Sequence, residues 1–226
     1  MTDPRSPFAR GVLFDLDGVL VNSLAVMRLA FEAAHRDVYA RGGAGADADF
    51  DVLFAEYRGH LGEGFPAIMQ AMGLSVRMHA PFKAHSRHLA GYVHAYPGIP
   101  ALLERLDKDG WALGVATGKD EARACELLER LGLRRHFQRV LGYDSVAHPK
   151  PAPDVIEAFV EQTGVSLDRL ALVGDAPADL ACAHRGGCRG VAALWGFTPA
   201  PRLLAEAPHF AAASPEELLT WLQGWH

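Results

Sequence analysis

Short apolar runs alternate with helical patterns after Gly98, and this alternation constrains the fold of the chain more than any other feature. Four such runs, at 111–116, 139–141, 170–173 and 191–194, have the length and composition of buried strands. Between them, apolar residues recur at the spacing of amphipathic helices. Strands that alternate with helices pair in parallel and bury both faces of their sheet. The sequence therefore predicts an α/β fold built on a doubly wound parallel sheet.

Two acidic residues follow the first apolar run, 11–14. Asp15 and Asp17 stand two positions apart, and residues i and i+2 of a strand point to the same side. Both carboxylates can therefore face one site beyond the carboxyl end of the strand, where open α/β sheets bind ligands. Two carboxylates this close repel each other unless a cation lies between them or one holds a proton. The pair predicts a Mg²⁺ site, a nucleophile beside an acid/base, or both.

Three further polar clusters occur at predicted loops and strand ends. Thr117 and Gly118 follow the strand 111–116, and a hydroxyl beside the N–H groups of a helix start can hold a phosphate. Lys150 stands between prolines, which fix the backbone and place one ammonium group. Asp175 follows the strand 170–173, and Asp179 lies about one helical turn further on. Each cluster has an ordinary structural explanation, but their order along the chain predicts one anion-binding site.

The segment 22–96 differs from the rest of the chain because it has almost no strand-like run. Its apolar spacing predicts helices over 25–40, 51–60, 66–72 and 81–94, with a loop over 41–49. We expect this segment to be a helical insertion that packs as a lid over the acidic pair. The predicted domains are therefore a catalytic core, 1–21 and 97–226, and a helical cap, 22–96.

Composition and charge exclude several classes of protein. A chain of 226 residues, 50% of them hydrophobic, can bury one core and an inserted subdomain. Its formal net charge of -5 argues against nonspecific binding to nucleic acid. The first ten residues lack the apolar core of a signal peptide, and no apolar run approaches the ~20 residues of a membrane span. We expect a cytoplasmic protein with a small-molecule ligand, and the sequence indicates no oligomeric state.

The order of the four clusters resembles the motifs of the haloacid dehalogenase superfamily. Residues 15–20 resemble its first motif, Thr117-Gly118 its second, Lys150 its third and residues 174–179 its fourth. The resemblance covers nearly the whole chain and implies a Rossmann-like core. The insertion is similar to the small cap of the phosphoglycolate-phosphatase-like branch. The amino-acid pattern of residues 54–74 is also similar to that of phosphatases of the aminohydroxybenzoate branch of ansamycin-type antibiotic biosynthesis.

The resemblance implies a phosphatase, and the chemistry of the residues is compatible with that role. By resemblance Asp15 is the nucleophile, which forms an aspartyl-phosphate. Asp17 then protonates the leaving oxygen and later deprotonates the attacking water. Thr117 and the Gly118 N–H hold the phosphate oxygens, while Lys150 neutralises Asp15 and the phosphate. The expected substrate is a small-molecule phosphate monoester.

The expected cofactor is Mg²⁺, a hard cation that binds carboxylate and carbonyl oxygens. Asp15 and Asp175 can supply side-chain oxygens, and Asp17 its backbone carbonyl. For Asp179 two roles stay open, since it can hold a metal-bound water or orient Lys150.

Other functions are weighed against the phosphatase. A sugar-phosphate mutase shares all four core motifs and remains the enzymatic alternative. Dehalogenases of this fold lack the second acid, Asp17, and phosphonate hydrolases use a cap lysine in a sequence context that Lys83 does not share. Receiver domains and catalytically silent binding modules are the non-enzymatic alternative. Receivers carry their acceptor acid on a middle strand and have no cap.

Substrate choice is expected to come from the cap. Arg58, His60 and the turn 62–64 are the residues predicted to face the core, and Arg58 can bind a carboxylate or a second anion. The sequence leaves the substrate open between phosphoglycolate and a small sugar or polyol phosphate.

Overall fold

The computed structural model describes residues 8–40, 42 and 49–225. The loop predicted over 41–49 falls almost entirely outside these residues. The strands, in chain order, are β1 (Gly11–Phe14), β2 (Val21–Asn22), β3 (His94–Ala95), β4 (Ala112–Ala116), β5 (Arg139–Leu141), β6 (Leu170–Gly174), β7 (Arg189–Ala193) and β8 (Phe210–Ala212). The helices are α1 (Leu24–Tyr39), α2 (Phe50–Gly59), α3 (Phe65–Ala71), α4 (His79–His88), α5 (Ile99–Lys108), α6 (Glu121–Arg130), α7 (Asp154–Thr163), α8 (Pro177–Gly186), α9 (Ala200–Leu204) and α10 (Pro215–Gln223).

Six strands form one parallel sheet in the order β5-β4-β1-β6-β7-β8. Side chains alternate between its faces. Val12 and Phe14 pack in a cluster with α5, α6 and α10, whereas Leu13 packs with α7 and α8. Helices therefore cover both faces, and the predicted doubly wound α/β fold is confirmed. Because β1 is central, with β4 on one side and β6 on the other, the strand order reverses beside it. Ligands bind at such points in open α/β sheets.

The predicted elements agree with the structure apart from their ends and the C-terminal part. The predicted strand 191–194 is β7, which begins at Arg189. The helix predicted over 81–94 is instead α4, followed by a 3₁₀ turn over Ala90–Tyr92 and the short strand β3. No prediction covers β8, α9 or α10, although Leu218 and Leu222 of α10 have the i, i+4 spacing of a helix.

The helices α1 to α4 build a third apolar cluster, separate from the two that flank the sheet. Aromatic rings form much of it. The rings of Phe31 and Tyr57 stack at 4.6 Å between centroids, and those of Phe65 and Phe82 at 4.3 Å. The strands β2 and β3 pair antiparallel, so the two crossings between this cluster and the sheet run side by side. None of the helices in the described part of the chain is long and apolar enough to span a membrane.

Candidate active site

The ends of the central strands bring the predicted clusters together. Asp15 lies directly after β1, Thr117 directly after β4, and Asp175 directly after β6. Lys150, in the loop between β5 and α7, reaches the same point. All four residues are buried, each with 3% of its surface exposed. The structure therefore assembles one polar site at the carboxyl edge of the sheet.

The ammonium group of Lys150 makes three hydrogen bonds inside the protein. Its Nζ donates to Oδ1 of Asp15 at 2.9 Å, to the backbone oxygen of Ala116 at 2.7 Å and to Oδ1 of Asp179 at 2.5 Å. An ammonium group has three protons to donate, so these three acceptors fix its position. Lys150 thereby ties together the ends of β1 and β4 and the start of α8.

Asp179 lies in the first turn of α8 and is fully buried. Its Oδ2 accepts the Ala176 backbone N–H at 3.0 Å, while Oδ1 accepts from Lys150. Both carboxylate oxygens therefore have a protein donor. Of the two roles left open by the sequence, this geometry favours orientation of Lys150.

Asp175 is packed between two glycines. Its Oδ2 accepts the Phe197 backbone N–H at 2.6 Å. A Cβ atom on Gly18, whose φ is +94°, or on Gly196 would overlap the Asp175 side chain. The backbone must approach the carboxylate this closely, and Gly18 also adopts a conformation that other residues rarely accept.

Burial changes the proton affinities of these acids. Loss of solvation raises the pKa of Asp15 to about 7, with the attraction of Lys150 opposing this effect and the negative charge of Asp179 adding to it. Burial, followed by repulsion from Asp15 and Asp179, raises the pKa of Asp175 well above its ordinary value. For Lys150, burial favours the neutral amine, but Asp15 and Asp179 outweigh it and raise the pKa. The ammonium form therefore persists.

The charges at the site do not balance without a cation. Three buried carboxylates, those of Asp15, Asp175 and Asp179, have ligand atoms within 4.8 Å of one another and face one buried ammonium group. The deficit of about two charges matches one divalent cation, and an all-oxygen donor set is the one that Mg²⁺ prefers. The residues present therefore fit a Mg²⁺ ion.

Asp17 is held beside the site by two side chains. Its Oδ1 accepts from the Ser23 hydroxyl at 2.5 Å, and its Oδ2 pairs with Lys119 Nζ at 2.9 Å. The side chains of Lys119 and Asp17 are 11% and 14% exposed, so solvent screens the pair only weakly. Asp17 lines the same small cavity as Asp15.

Thr117 and Gly118 lie opposite the acids across that cavity. The Thr117 Oγ1 accepts the Lys119 backbone N–H at 3.2 Å, which leaves its own proton available to a ligand. A Cβ atom on Gly118 would overlap the backbone oxygen of Glu63. The close approach of backbone to backbone here requires a residue without a side chain.

The turn after α2 covers the cavity. Gly62 and Glu63 line it, and Gly62 lies so close to α8 that a Cβ there would touch Ala176 at 3.0 Å. His60 faces Glu63, with 3.6 Å between its Nδ1 and Oε1 of that residue. The predicted approach of the turn 62–64 to the core thus agrees with the structure.

Arg58 is not brought to the cavity, which corrects its predicted placement at the substrate. Its guanidinium donates to the backbone oxygen of Phe197 at 3.1 Å, and Arg202 donates in return to the backbone oxygen of Gly59 at 2.9 Å. Arg58 and Arg202 line a separate surface pocket. The helix α2 ends so that Arg58 points along the surface of the core, whereas Tyr57, the residue before it, lines the cavity.

Two basic residues of the site had no role assigned from the sequence. Lys119 lies just before α6 and Arg123 in its first turn, and both line the cavity. The Arg123 guanidinium is 5% exposed and pairs with Asp120 at 2.6 Å. Their position directly after the Thr117-Gly118 cluster, at and before the start of a predicted helix, was the available signal.

Comparison with known proteins agrees with this site. The sequence family described as haloacid dehalogenase-like hydrolase matches residues 12–193. A phosphoglycolate phosphatase from Rhodospirillum rubrum is 35% identical over 207 residues, which cover 85% of this chain and 82% of that protein. A phosphoglycolate phosphatase from Aquifex aeolicus is 27% identical over 215 residues, covering 93% of this chain and 95% of that protein.

The fold has close structural relatives as well. The crystal structure of a hydrolase from Pseudomonas syringae superimposes with a TM-score of 0.82 and covers 95% of this chain and 98% of that one, at 23% identity. That similarity concerns the fold, while the family match spans the strands and loops that carry all four clusters. The chain therefore belongs to the haloacid dehalogenase-like hydrolase family, and within it the chain is a phosphatase of the phosphoglycolate-phosphatase-like branch.

Proposed function

We propose that this enzyme hydrolyses a small-molecule phosphate monoester through an aspartyl-phosphate on Asp15. The observation that supports this most is the buried contact of Asp15 with Lys150 beside Asp175, at the carboxyl edge of the sheet. Such a site can hold a phosphoryl group, neutralise its charge and exclude water.

In the first step, an oxygen of Asp15 attacks phosphorus and the bond from phosphorus to the ester oxygen breaks. The leaving oxygen takes a proton from Asp17, so an alcohol departs. Thr117 and the Gly118 N–H hold the equatorial oxygens of the phosphoryl group, on which charge is spread during transfer. Lys150 stabilises that charge from the opposite side.

In the second step, Asp17 removes a proton from water, and the water oxygen attacks phosphorus. The bond from Asp15 to phosphorus breaks, which restores the carboxylate and releases inorganic phosphate. Asp17 begins the first step as an acid and the second as a base, so each turnover returns it to its starting state.

A Mg²⁺ ion would be held by side-chain oxygens of Asp15 and Asp175 and by the backbone oxygen of Asp17. When bound, it supplies positive charge for the phosphoryl oxygens and for the attacking carboxylate. Asp179 completes the site by fixing Lys150.

The segment 22–96 is proposed to act as a cap that closes over the bound ester, while 1–21 and 97–226 form the catalytic core. This proposal is supported by the separate apolar cluster of α1 to α4 and by the paired crossings at β2 and β3. The turn 62–64 touches the core loops that carry Gly118 and Ala176. Closure therefore brings the cap backbone to the phosphoryl site.

Phosphoglycolate is the first ester to assay, because the relatives named above are phosphoglycolate phosphatases. The narrower similarity of residues 54–74 to aminohydroxybenzoate-branch phosphatases stays a prediction. A mutase would return the phosphoryl group to its substrate, so release of inorganic phosphate distinguishes the two activities.

The test is phosphate release from a panel of monoesters, with Mg²⁺ and with excess EDTA. We expect turnover only with the divalent cation, and no turnover by the Asp15→Asn variant, because an amide is a very poor nucleophile. The exposed Asp168→Asn exchange is the matched control. Full turnover in EDTA, or a wild-type kcat in Asp15→Asn, would refute the proposal.

A further inference from the structure

A second, larger cavity adjoins the phosphoryl site. The cavity that contains Asp15 and Asp17 has a volume of about 40 Å³, close to the space of a single water molecule. The neighbouring cavity, between α1, α4 and α6, measures about 200 Å³. Met27, Lys119 and Arg123 line both cavities and form the partition between them. The space available to a group bound next to the phosphoryl site is therefore this larger cavity.

The partition consists of two ion pairs. Lys119 pairs with Asp17, and the Nε of Arg123 donates to Asp120 at 2.6 Å. The Arg123 Nη1 donates to the Ser86 hydroxyl at 3.1 Å, and within the part of the chain that the structure describes its Nη2 has no acceptor. Lys119 and Arg123 thus stand at the entrance to the larger cavity, and Arg123 retains one free donor.

Positive charge dominates the larger cavity. Besides Lys119 and Arg123 it is lined by Arg87 and Arg130, against one acid, Glu126, which pairs with Arg87 at 2.8 Å. Among the described residues Arg130 has no carboxylate partner. Lys119, Arg123 and Arg87 each pair with one acid, so the unpaired charge of the wall is that of Arg130, which favours an anionic ligand.

The remaining wall is aliphatic apart from the hydroxyl groups of Ser23 and Ser86, which already bond Asp17 and Arg123. Val26, Met27, Val93 and Leu127 are buried there, and Ala90 is half-buried. Such side chains contact carbon well but give hydroxyl groups no partners, which disfavours a polyol. At about 200 Å³, against about 40 Å³ for the neighbouring cavity, it has room for a small organic group.

We propose that this cavity binds the leaving group of the substrate, and that this group is a compact apolar body, about the size of one ring, that bears an anionic substituent. The inference rests on the proposed phosphatase function and defines its substrate class. Lys119 exchanges its contact with Asp17 for the substrate anion. The Asp17 carboxyl is then released from that pair next to the leaving oxygen.

The experiment measures kcat/KM with Mg²⁺ for 4-carboxyphenyl phosphate, the neutral 4-carbamoylphenyl phosphate, phenyl phosphate and phosphoglycolate. The carbamoyl ester matches the carboxy ester in size and lacks its charge. We expect the carboxy ester to exceed both other aryl esters by at least tenfold, with an advantage that shrinks as salt is added. Equal values for the carboxy and carbamoyl esters, or a higher value for phosphoglycolate, would overturn the proposal.

Filling the cavity gives an independent test. Ala90→Phe places a ring in the larger cavity, and we expect it to raise KM for 4-carboxyphenyl phosphate at least tenfold. The exposed Ala84→Phe exchange on α4 is the matched control and should leave that KM unchanged. Ala90→Leu serves as a milder second variant, and thermal unfolding verifies that each variant folds. Equal effects at Ala90 and Ala84 would overturn the proposal.

Failure of the inference differs from failure of the proposed function. If the enzyme is not a phosphatase, none of the four esters releases phosphate. If only the inference is wrong, phosphate is released without preference for the charged ring.

Discussion

The buried charge of Asp15 should make the metal-free enzyme less stable as the pH rises. Burial raises the pKa of Asp15 from 3.8 to about 7 in the folded protein. A carboxyl that binds its proton more tightly when folded contributes stability that is fully present below the unfolded pKa. That stability is lost as the pH rises through the folded pKa. The loss should therefore occur between about pH 4 and pH 7.

The Asp15→Asn variant has no carboxyl group at this position. The difference in unfolding free energy between wild type and variant therefore reports the titration of Asp15. One pH unit inside the window corresponds to about 1.4 kcal/mol for one carboxyl. Between pH 5 and pH 8 the variant should gain about 3 kcal/mol in unfolding free energy relative to wild type. For a chain of this length that equals about 6–12 °C in Tm. Lys150 keeps Asp179 as its partner in the variant.

The assay is thermal unfolding in EDTA at half-unit steps from pH 5 to pH 8. Asp175 also has a raised pKa, and because repulsion from Asp15 is one cause, its titration destabilises wild type more than the variant and adds to the difference in the same direction. Adding Mg²⁺ at pH 8 should raise the Tm of wild type more than that of the variant, because the ion binds the folded site through Asp15. A Tm difference that is flat, or that moves in favour of wild type as the pH rises, would refute this reasoning.

Three further results are expected. Asp17→Asn should lower kcat by about 10²–10⁴-fold and let the phosphorylated form of Asp15 accumulate in quenched reactions. An unchanged kcat would show that Asp17 takes no part in the mechanism. Asp179→Asn should lower kcat by up to about 100-fold, because Lys150 loses the carboxylate that orients it; an unchanged kcat would contradict that role. Arg58→Ala should raise KM by a similar factor for phosphoglycolate and for phenyl phosphate, since the side chain bonds a core carbonyl. A selective effect on one ester would indicate that Arg58 contacts the substrate.

Much of the fold could be predicted because its strands are short, apolar and separated by amphipathic helices. The runs that became β1, β4 and β6 are buried on both faces, so their side chains carry no alternating pattern but a continuous apolar one. The C-terminal elements lack this signal. In β8, Phe210 and Ala211 remain half-buried, and the strand pairs on one side only.

The composition of the site could be predicted, but its pairings could not. Asp15, Thr117 and Asp175 each follow a strand, so their convergence needs only parallel strands. The pair between Lys119 and Asp17 requires in addition that β4 lie next to β1, and alternation along the chain does not specify the order of strands in a sheet. The placement of Arg58 depended further on how α2 ends against the core, which is set by tertiary packing rather than by local sequence.

The buried acids that lower the stability of the fold are also residues of the candidate active site. Asp15, Asp175 and Asp179 are taken out of water with one ammonium group among them, an arrangement that a purely structural core would avoid. The same excess of negative charge would attract a divalent cation, which together with Lys150 brings the site close to neutral, so that net charge no longer repels a phosphate dianion. Asp17 has partners of its own, Lys119 and Ser23, whereas Asp15 pairs with Lys150. The two acids of one strand end can thus take different roles because their partners come from different elements.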